Sequence, residues 1–351
     1  MAGYRRLRVL EKRQETPAAF TFVLEPVDGL PYPYESGQFV TLIFQVHGKE
    51  QRRAYSFSSA PEHDALPAIT IKRVANGEFS NFLIHNIQVG DELEALDATG
   101  RFLLPPPQSA EQQLFFIAAG SGITPVFSLL KTLLHREDKT SATLLYANRN
   151  AADTIFKATI DDWMARFPDR FQCIYIFSSD AQASPPHVFA HLNNGLLLQL
   201  IEQYAKVPRV ALHFYLCAPE ALQRMAEITL RYMGFKESQI QKETFFIRPV
   251  DVEFLPTVDA NIRHRVHTTG RRHQHDFEVF EGETILDGAL RQGIMLPYNC
   301  KSGVCTACTA KCLSGEVEML FNGSKRLGQA GEIVYTCIGY AHSEAVELEF
   351  Q

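Results

Sequence analysis

Cys300, Cys305 and Cys308 fall within nine residues, and Cys312 follows four positions later, in the stretch YNCKSGVCTACTAKC. Core packing does not explain such density, because a Gly-containing loop is not core composition. Something outside the ordinary repertoire of side-chain burial must draw these thiols together: a disulfide network, a zinc ion or an iron–sulfur cluster. Each candidate implies a different protein. The other three of the seven cysteines, Cys173, Cys217 and Cys337, are scattered. A disulfide framework suits short chains in oxidising compartments. This chain has 351 residues, enough for two or three domains with cores of their own.

The rest of the sequence narrows the setting. A formal charge of −6 argues against nucleic acid as a partner, since phosphate binding needs a basic surface. The first residues, MAGYRRLRVLEKR, have no apolar segment of the secretory kind. No run of 18 or more apolar residues exists to span a bilayer. These features predict a cytoplasmic protein whose thiols are reduced, and there clustered cysteines serve metals more often than disulfides.

The pattern of elements predicts a multidomain chain. Residues 1–106 hold short segments rich in Val, Ile, Phe and Thr, such as RRLRVLEKR, FTFVLEP, QFVTLIFQV and AITIKRV, separated by turn residues. Evenly spaced short strands suggest a small β-barrel. LPPPQSA, residues 104–110, breaks the pattern as a stiff linker. Residues 111–247 then alternate apolar strands (LFFIAAG, ATLLYANR, FQCIYIFSS, VALHFYLCA) with amphipathic helices. That alternation predicts an α/β domain with a parallel sheet. RPVDVEFLPT, residues 248–257, is a second linker, and residues 258–351 are strand-like around one helix, TILDGALRQG.

The spacing Cys300-x4-Cys305-x2-Cys308 is the one that plant-type [2Fe–2S] sites use, with a fourth thiolate from far downstream. Cys337, in VYTCIGYA, is the candidate for that ligand. Cys312 falls inside an alternating segment and reads as a small apolar side chain. Ser302, Gly303, Thr306 and Ala307 are small enough for a loop to turn tightly and aim N–H groups at sulfur. Zinc held by the same four thiolates stays open as the alternative. Residues 258–351 resemble a plant-type ferredoxin domain, which implies an α+β, β-grasp fold.

Two further motifs extend the resemblance. RAYSFSS, residues 53–59, resembles the R-x-Y-S motif of the ferredoxin–NADP reductase superfamily. The resemblance implies a flavin held by Arg53, Ala54, Tyr55 and Ser56: the arginine on a pyrophosphate, the tyrosine stacked on the ring system, the serine hydroxyl at the reactive N5 edge. GEFSNFL, with Gly77, Phe79 and Ser80, supports it; Gly77 permits a turn, Ser80 is expected to cap the helix SNFLIHN, and that helix would present N–H groups to phosphate. AAGSGITP resembles the superfamily's G-x-G-x-T-P loop, which implies that Gly120, Ser121, Gly122, Thr124 and Pro125 approach the nicotinamide nucleotide. By the same likeness Cys217, in CAPE where the family shows C-G-P, lies near the nicotinamide, and Glu243 and Phe245, in KETF, lie near the flavin. Ser56, Cys217 and Glu243 are thus the candidate catalytic set. Arg149, ending the second α/β strand, stands where a 2′-phosphate could be read; a solvated strand-end arginine is an equal reading.

The order of modules resembles the reductase components of bacterial oxygenases, of the phenylacetyl-CoA oxygenase (epoxidase) reductase type. This implies NAD(P)H, FAD rather than FMN, a [2Fe–2S] cluster, and a protein acceptor such as a di-iron or other non-haem oxygenase, with no nucleic acid and no membrane. Two rivals remain at this stage: a carrier with a dead nicotinamide site, and a zinc flavoprotein that reduces small quinones.

Overall fold

The computed structural model describes residues 4–46, 49–75, 77–107, 109–137, 139–179, 187–245, 256–270, 274–298, 301, 303, 306–321 and 324–350. Period-two burial builds the first sheet. Strands β1 (Arg5–Thr16), β2 (Ala19–Pro26), β3 (Phe39–Val46), β4 (Lys49–Ser56), β5 (Ala68–Lys72) and β6 (Glu92–Ala95) pair antiparallel in the order β4-β3-β6-β1-β2-β5. Leu7, Val9, Phe22, Leu24, Val40 and Leu42 point inward. The two edges meet at a bridge between Phe57 and Ile69, and Ser58 N–H donates to the Ala68 carbonyl at 2.8 Å, so the sheet closes into a barrel. Helix α1 (Glu78–Asn86) packs against it through Phe79, Leu83 and Ile84.

Next come β7 (Gln112–Ala119), α2 (Ile123–His135), β8 (Thr140–Asn148), α3 (Lys157–Arg166), β9 (Phe171–Phe177), β10 (Val188–Phe189), α4 (Asn194–Tyr204), β11 (Leu212–Cys217), α5 (Glu220–Tyr232) and β12 (Ile240–Lys242). All neighbours in the sheet β10-β9-β8-β7-β11-β12 are parallel. Successive residues of β7 feed opposite faces. Leu114 and Phe116 join Leu130 of α2 and Trp163 of α3, whereas Phe115 and Ile117 join Leu197 of α4 and Leu230 of α5. Strand order reverses between β7 and β11, which opens a crevice at their carboxyl ends, the customary ligand position in such sheets.

The barrel and the α/β domain lie in one compact unit, Gly3–Phe245. A polar ladder along α2 joins them. Ser128 Oγ donates to the Ser59 carbonyl at 2.6 Å, Lys131 Nζ pairs with Asp64 at 2.8 Å, and the Ser36 and Thr132 hydroxyls lie 2.7 Å apart. The linker is pinned as well: Arg136 Nη1 donates to the Pro105 carbonyl at 2.8 Å, and Tyr215 Oη donates to that of Leu103 at 3.0 Å.

A second unit, Phe246–Gln351, has its own core. Residues 248–255 of the expected linker lie outside the described residues. Strands β13 (Asp259–Thr269), β14 (His275–Glu281), β15 (Thr309–Ser314), β18 (Ile333–Tyr335) and β20 (Ala345–Glu349) form a sheet in the order β14-β13-β20-β15-β18. Strands β16 (Val317–Phe321), β17 (Ser324–Gly328) and β19 (Gly339–Ala341) form a smaller one. Helix α6 (Ile285–Arg291), capped by the Thr284 hydroxyl, buries Ile285, Leu286 and Ala289 against the larger sheet. No described helix is long and apolar enough to cross a membrane.

Candidate active site

Strand β4 ends beside β5 and the start of α1, and a cavity of about 420 Å³ opens there. Arg53, Ala54, Tyr55, Ser56, Gly77, Phe79 and Ser80 all line it, and so do Ser121, Thr124 and Phe245 from the α/β domain. The Arg53 guanidinium lies 3.9 Å from the centre of the Phe79 ring, which holds it over the start of α1. Burial pushes the Tyr55 hydroxyl up, so it stays protonated and able to donate. The first turn of α1 has no side-chain cap: Gly77 occupies the N-cap position with extended backbone. This corrects the expectation for Ser80. The helix begins at Glu78, so Ser80 sits inside the first turn, where its hydroxyl accepts from Val74 N–H at 3.2 Å. The uncapped N–H groups beside an arginine suit a phosphate, as the FAD pyrophosphate requires.

Parallel pairing of β12 with β11 leads the KETF segment towards the cavity, which Phe245 lines and Glu243 does not. Glu243 N–H donates to the Leu216 carbonyl at 3.0 Å, which sets the carboxyl next to Cys217. Ser56 Oγ donates to Glu243 Oε2 at 3.3 Å, across 187 residues of sequence. Gln223 Nε2 fixes the Glu243 carbonyl at 3.0 Å. Burial pushes the Glu243 carboxyl up to about 8 and raises the Cys217 thiol, with Glu243 adding to the latter. Cys217 is enclosed beneath the cavity rather than lining it.

That shift has a measurable sign. The folded protein keeps the Glu243 carboxyl neutral up to about pH 8, whereas the unfolded chain ionises it near 4.5. Its contribution to stability is whole below the lower value and is lost as pH rises towards the upper one. Glu243→Gln should therefore match wild type in Tm near pH 4.5 and exceed it near pH 8. Parallel Tm-against-pH curves for the two proteins would refute the assignment.

A second cavity, of about 400 Å³, lies over the crevice at the ends of β7 and β8. Gly120, Ser121, Asn148, Arg149, Ser178 and Pro219 are among its walls, and it shares Ser121 and Lys72 with the first. Gly120 takes φ +53°, and Gly122 packs so tightly on β11 that an added Cβ would stand 1.9 Å from the Cys217 carbonyl oxygen. Thr124 Oγ1 closes the loop by donating to the Ser121 carbonyl at 3.0 Å. Pro125 is buried in the first turn of α2 and faces neither cavity. Lys72 escaped the sequence analysis although it borders both cavities. Its only signal was a lysine ending the buried strand AITIK, and barrel closure rather than local sequence brings it to the crevice.

In the second unit the Cys308 and Cys337 sulfurs lie 3.1 Å apart, both buried, and Gly303 N–H donates to Cys337 Sγ at 3.3 Å. Lys301, Gly303 and Thr306 all adopt left-handed backbone (φ 54°, 70° and 58°), as a loop wrapped closely about a group must. Two converging thiols with an inward N–H fit a cluster's sulfur-rich shell. Cys300, Ser302 and Cys305 lie outside the described residues, so no complete group of three ligands occurs among the described ones. Cys312 faces the other way. Its sulfur approaches the Ser314 and Gly315 carbonyls at 3.4 and 3.5 Å within the β-sheet core.

Fold and sites together define a flavin- and nicotinamide-dependent oxidoreductase with an iron–sulfur domain. Comparison with known proteins agrees. Residues 8–103 match the oxidoreductase FAD-binding domain, 116–227 the oxidoreductase NAD-binding domain, and 269–342 the 2Fe-2S iron-sulfur cluster binding domain. The chain is 31% identical over 356 residues to one of the subunits of the 1,2-phenylacetyl-CoA epoxidase of Escherichia coli, covering 100% of this chain and 98% of that protein. It is 28% identical over 359 residues to the ferredoxin reductase component of 3-ketosteroid-9-alpha-monooxygenase from Mycobacterium tuberculosis, with 98% and 95% covered. The solved structure of phthalate dioxygenase reductase shares the fold over 99% of this chain and 98% of its own, with a TM-score of 0.60 at 21% identity. The chain belongs to the ferredoxin–NADP reductase-like reductases that carry a C-terminal [2Fe–2S] domain.

Proposed function

We propose that the chain is the reductase component of an oxygenase system, drawing electrons from NAD(P)H through FAD and a [2Fe–2S] cluster to a partner oxygenase of aromatic or acyl-CoA catabolism. Its working domains are 1–106, 111–247 and 258–351, and its compartment the cytoplasm, where reduced thiols suit a cluster site. The relatives' names tie them to an epoxidase and a monooxygenase, which supports the acceptor. One observation carries the reading: Ser56, which lines the flavin-side cavity together with Ser121 and Thr124 of the nucleotide loop, bonds Glu243 of the α/β domain. A ring seated there has the nucleotide loop against it.

Bound FAD would supply the conversion of a two-electron hydride into single electrons, which one cluster can accept. The chain's residues do the rest. Arg53 and the start of α1 hold the pyrophosphate, Tyr55 supports the ring system, and Ser56 orients its reactive edge. Glu243, neutral below about pH 8, holds Ser56 and keeps a proton within its reach. Gly120 lets the loop backbone approach the nucleotide, Gly122 lets the loop pack closely on β11, and Lys72 offers a cation at the shared edge of the two cavities. Cys300, Cys305, Cys308 and Cys337 are the thiolates for the cluster.

A visible spectrum and two acceptors test this. The purified protein should show flavin bands with broad absorption beyond them, and NAD(P)H should bleach both. Ferricyanide and cytochrome c should each be reduced. Arg53→Ala should purify depleted of flavin, since a charge-assisted contact is worth about tenfold or more in affinity. A spectrum of flavin alone with stoichiometric zinc would replace the reading with the quinone-reducing flavoprotein. Full flavin content in Arg53→Ala would move the pyrophosphate elsewhere.

A further inference from the structure

Beyond the nucleotide cavity the crevice widens into a third space of about 600 Å³ whose charge differs from that of its neighbours. Lys72, Arg73 and Asn81 line it from the barrel side, and Arg149 and Asp153 from the α/β side. Three cations thus face one carboxylate. None of the three cationic side chains has a hydrogen-bond or ion-pair partner among the described residues. The Asp153 carboxylate is engaged by its own turn, accepting from Asn150 Nδ2 at 3.2 Å. Like charges gathered without counter-charge repel, and an anion between them removes the cost.

A second observation points to a ligand. Asn148, one residue before Arg149, borders the adjoining nucleotide cavity, and its amide oxygen is buried without a partner. Buried amides of this kind are satisfied by something. A ribose supplies hydroxyls for Asn148, and a phosphate on that ribose would reach Arg149. A plain ribose diol calls instead for an acid at this strand end; the residue there is Arg149, and Asp153, further along the chain, has one carboxylate oxygen already held by Asn150 Nδ2.

Building on the reading of the adjoining cavity as the nucleotide site, we propose that the hydride donor is the 2′-phosphorylated nucleotide, NADPH. Arg73 of the barrel and Arg149 of the α/β domain hold its 2′-phosphate from opposite walls of the cleft. Two planar guanidinium groups match a dianionic, tetrahedral phosphate. Nucleotide choice is therefore divided between two domains, and the barrel's share is a residue outside every motif the sequence offered.

The test uses the flavin-loaded, full-length protein and 2′,5′-ADP, which carries the phosphate but no reacting ring, with 5′-AMP as its control. Wild type should bind 2′,5′-ADP far more tightly than 5′-AMP by titration calorimetry, and should show the lower KM for NADPH. Arg73→Ala and Arg149→Ala should each weaken 2′,5′-ADP binding by about tenfold to a hundredfold, and raise KM for NADPH far more than KM for NADH. Both arginines are exposed, so folding should survive, and Arg73→Lys should recover part of the loss. Equal affinity for 2′,5′-ADP and 5′-AMP, or equal effects on both nucleotides, overturns the proposal and leaves the oxidoreductase reading standing. An effect of Arg149→Ala without one of Arg73→Ala overturns the two-walled site. Loss of FAD from Arg73→Ala overturns it too, because the cleft then serves the flavin's own phosphates. If neither nucleotide reduces the flavin, the underlying reading falls and the proposal with it.

Discussion

Cys337→Ser protein should purify with its flavin bands intact and its cluster absorption gone. Hydride transfer, followed as ferricyanide reduction, should persist. One-electron delivery to cytochrome c should fall more than about 100-fold, the upper range for losing even a group that merely supports a ligand. The geometry behind this is the convergence of Cys308 and Cys337 at 3.1 Å with Gly303 N–H aimed at the second sulfur. Cys312→Ser is the control. Its thiol donates to the main-chain carbonyls of Ser314 and Gly315 at the end of β15 and is walled off by the core, and burial pushes its pKa up, away from the thiolate a ligand must be. That variant should keep the cluster spectrum and both activities. A Cys312→Ser protein without a cluster, beside a Cys337→Ser protein with one, would reverse the assignment.

Gly122→Ala should cause the second-largest loss. The added methyl would lie 1.9 Å from the Cys217 carbonyl oxygen and 2.6 Å from its carbon, and both are main-chain atoms of a central strand that cannot step aside. The loop must move instead, taking with it Ser121 and Thr124, which face the flavin-side cavity. Overpacking of this kind costs about 1–3 kcal/mol, or roughly 2–4 °C in Tm for each kcal/mol in a domain of this size. Nucleotide-driven flavin reduction should slow by about tenfold to a hundredfold, since misplacement near 1 Å costs as much. Gly120→Ala makes the comparison. Its methyl would meet only the end of the Lys72 side chain at 3.3 Å, so the left-handed backbone, φ +53°, sets a smaller penalty of about 1 kcal/mol. Equal damage from the two alanines would show that closeness to β11 is not what the second glycine provides.

What could be read from the sequence was whatever the chain keeps contiguous. The cysteine spacing, RAYS and AAGSGITP are each short runs of neighbouring residues, so the resemblance they carry is written in adjacent letters. The alternation of β7 between two cores was equally visible, because Leu114 to Ala118 are apolar without a break. Other features depend on closure of the fold. Lys72 reaches the crevice only because Phe57 meets Ile69 and shuts the barrel. Strand β6 was missed because four residues, Glu92–Ala95, half of them acidic, carry too little β-character to stand out. The start of α1 was misjudged for a local reason. Serine is a favoured cap, but glycine with extended backbone caps this helix three residues sooner, and Ser80 then bonds back to Val74.

The hydrogen bonds and ion pair along α2 have a consequence for timing. Ser59 and Asp64 lie in the segment between β4 and β5, and Ser128 and Lys131 sit one and two turns into α2, the helix that the glycine loop opens. Both halves of the reaction chamber are therefore cast as one block. On the proposed reading, registration between donor and acceptor is set by the scaffold, and entry of the nucleotide should need little further search for alignment.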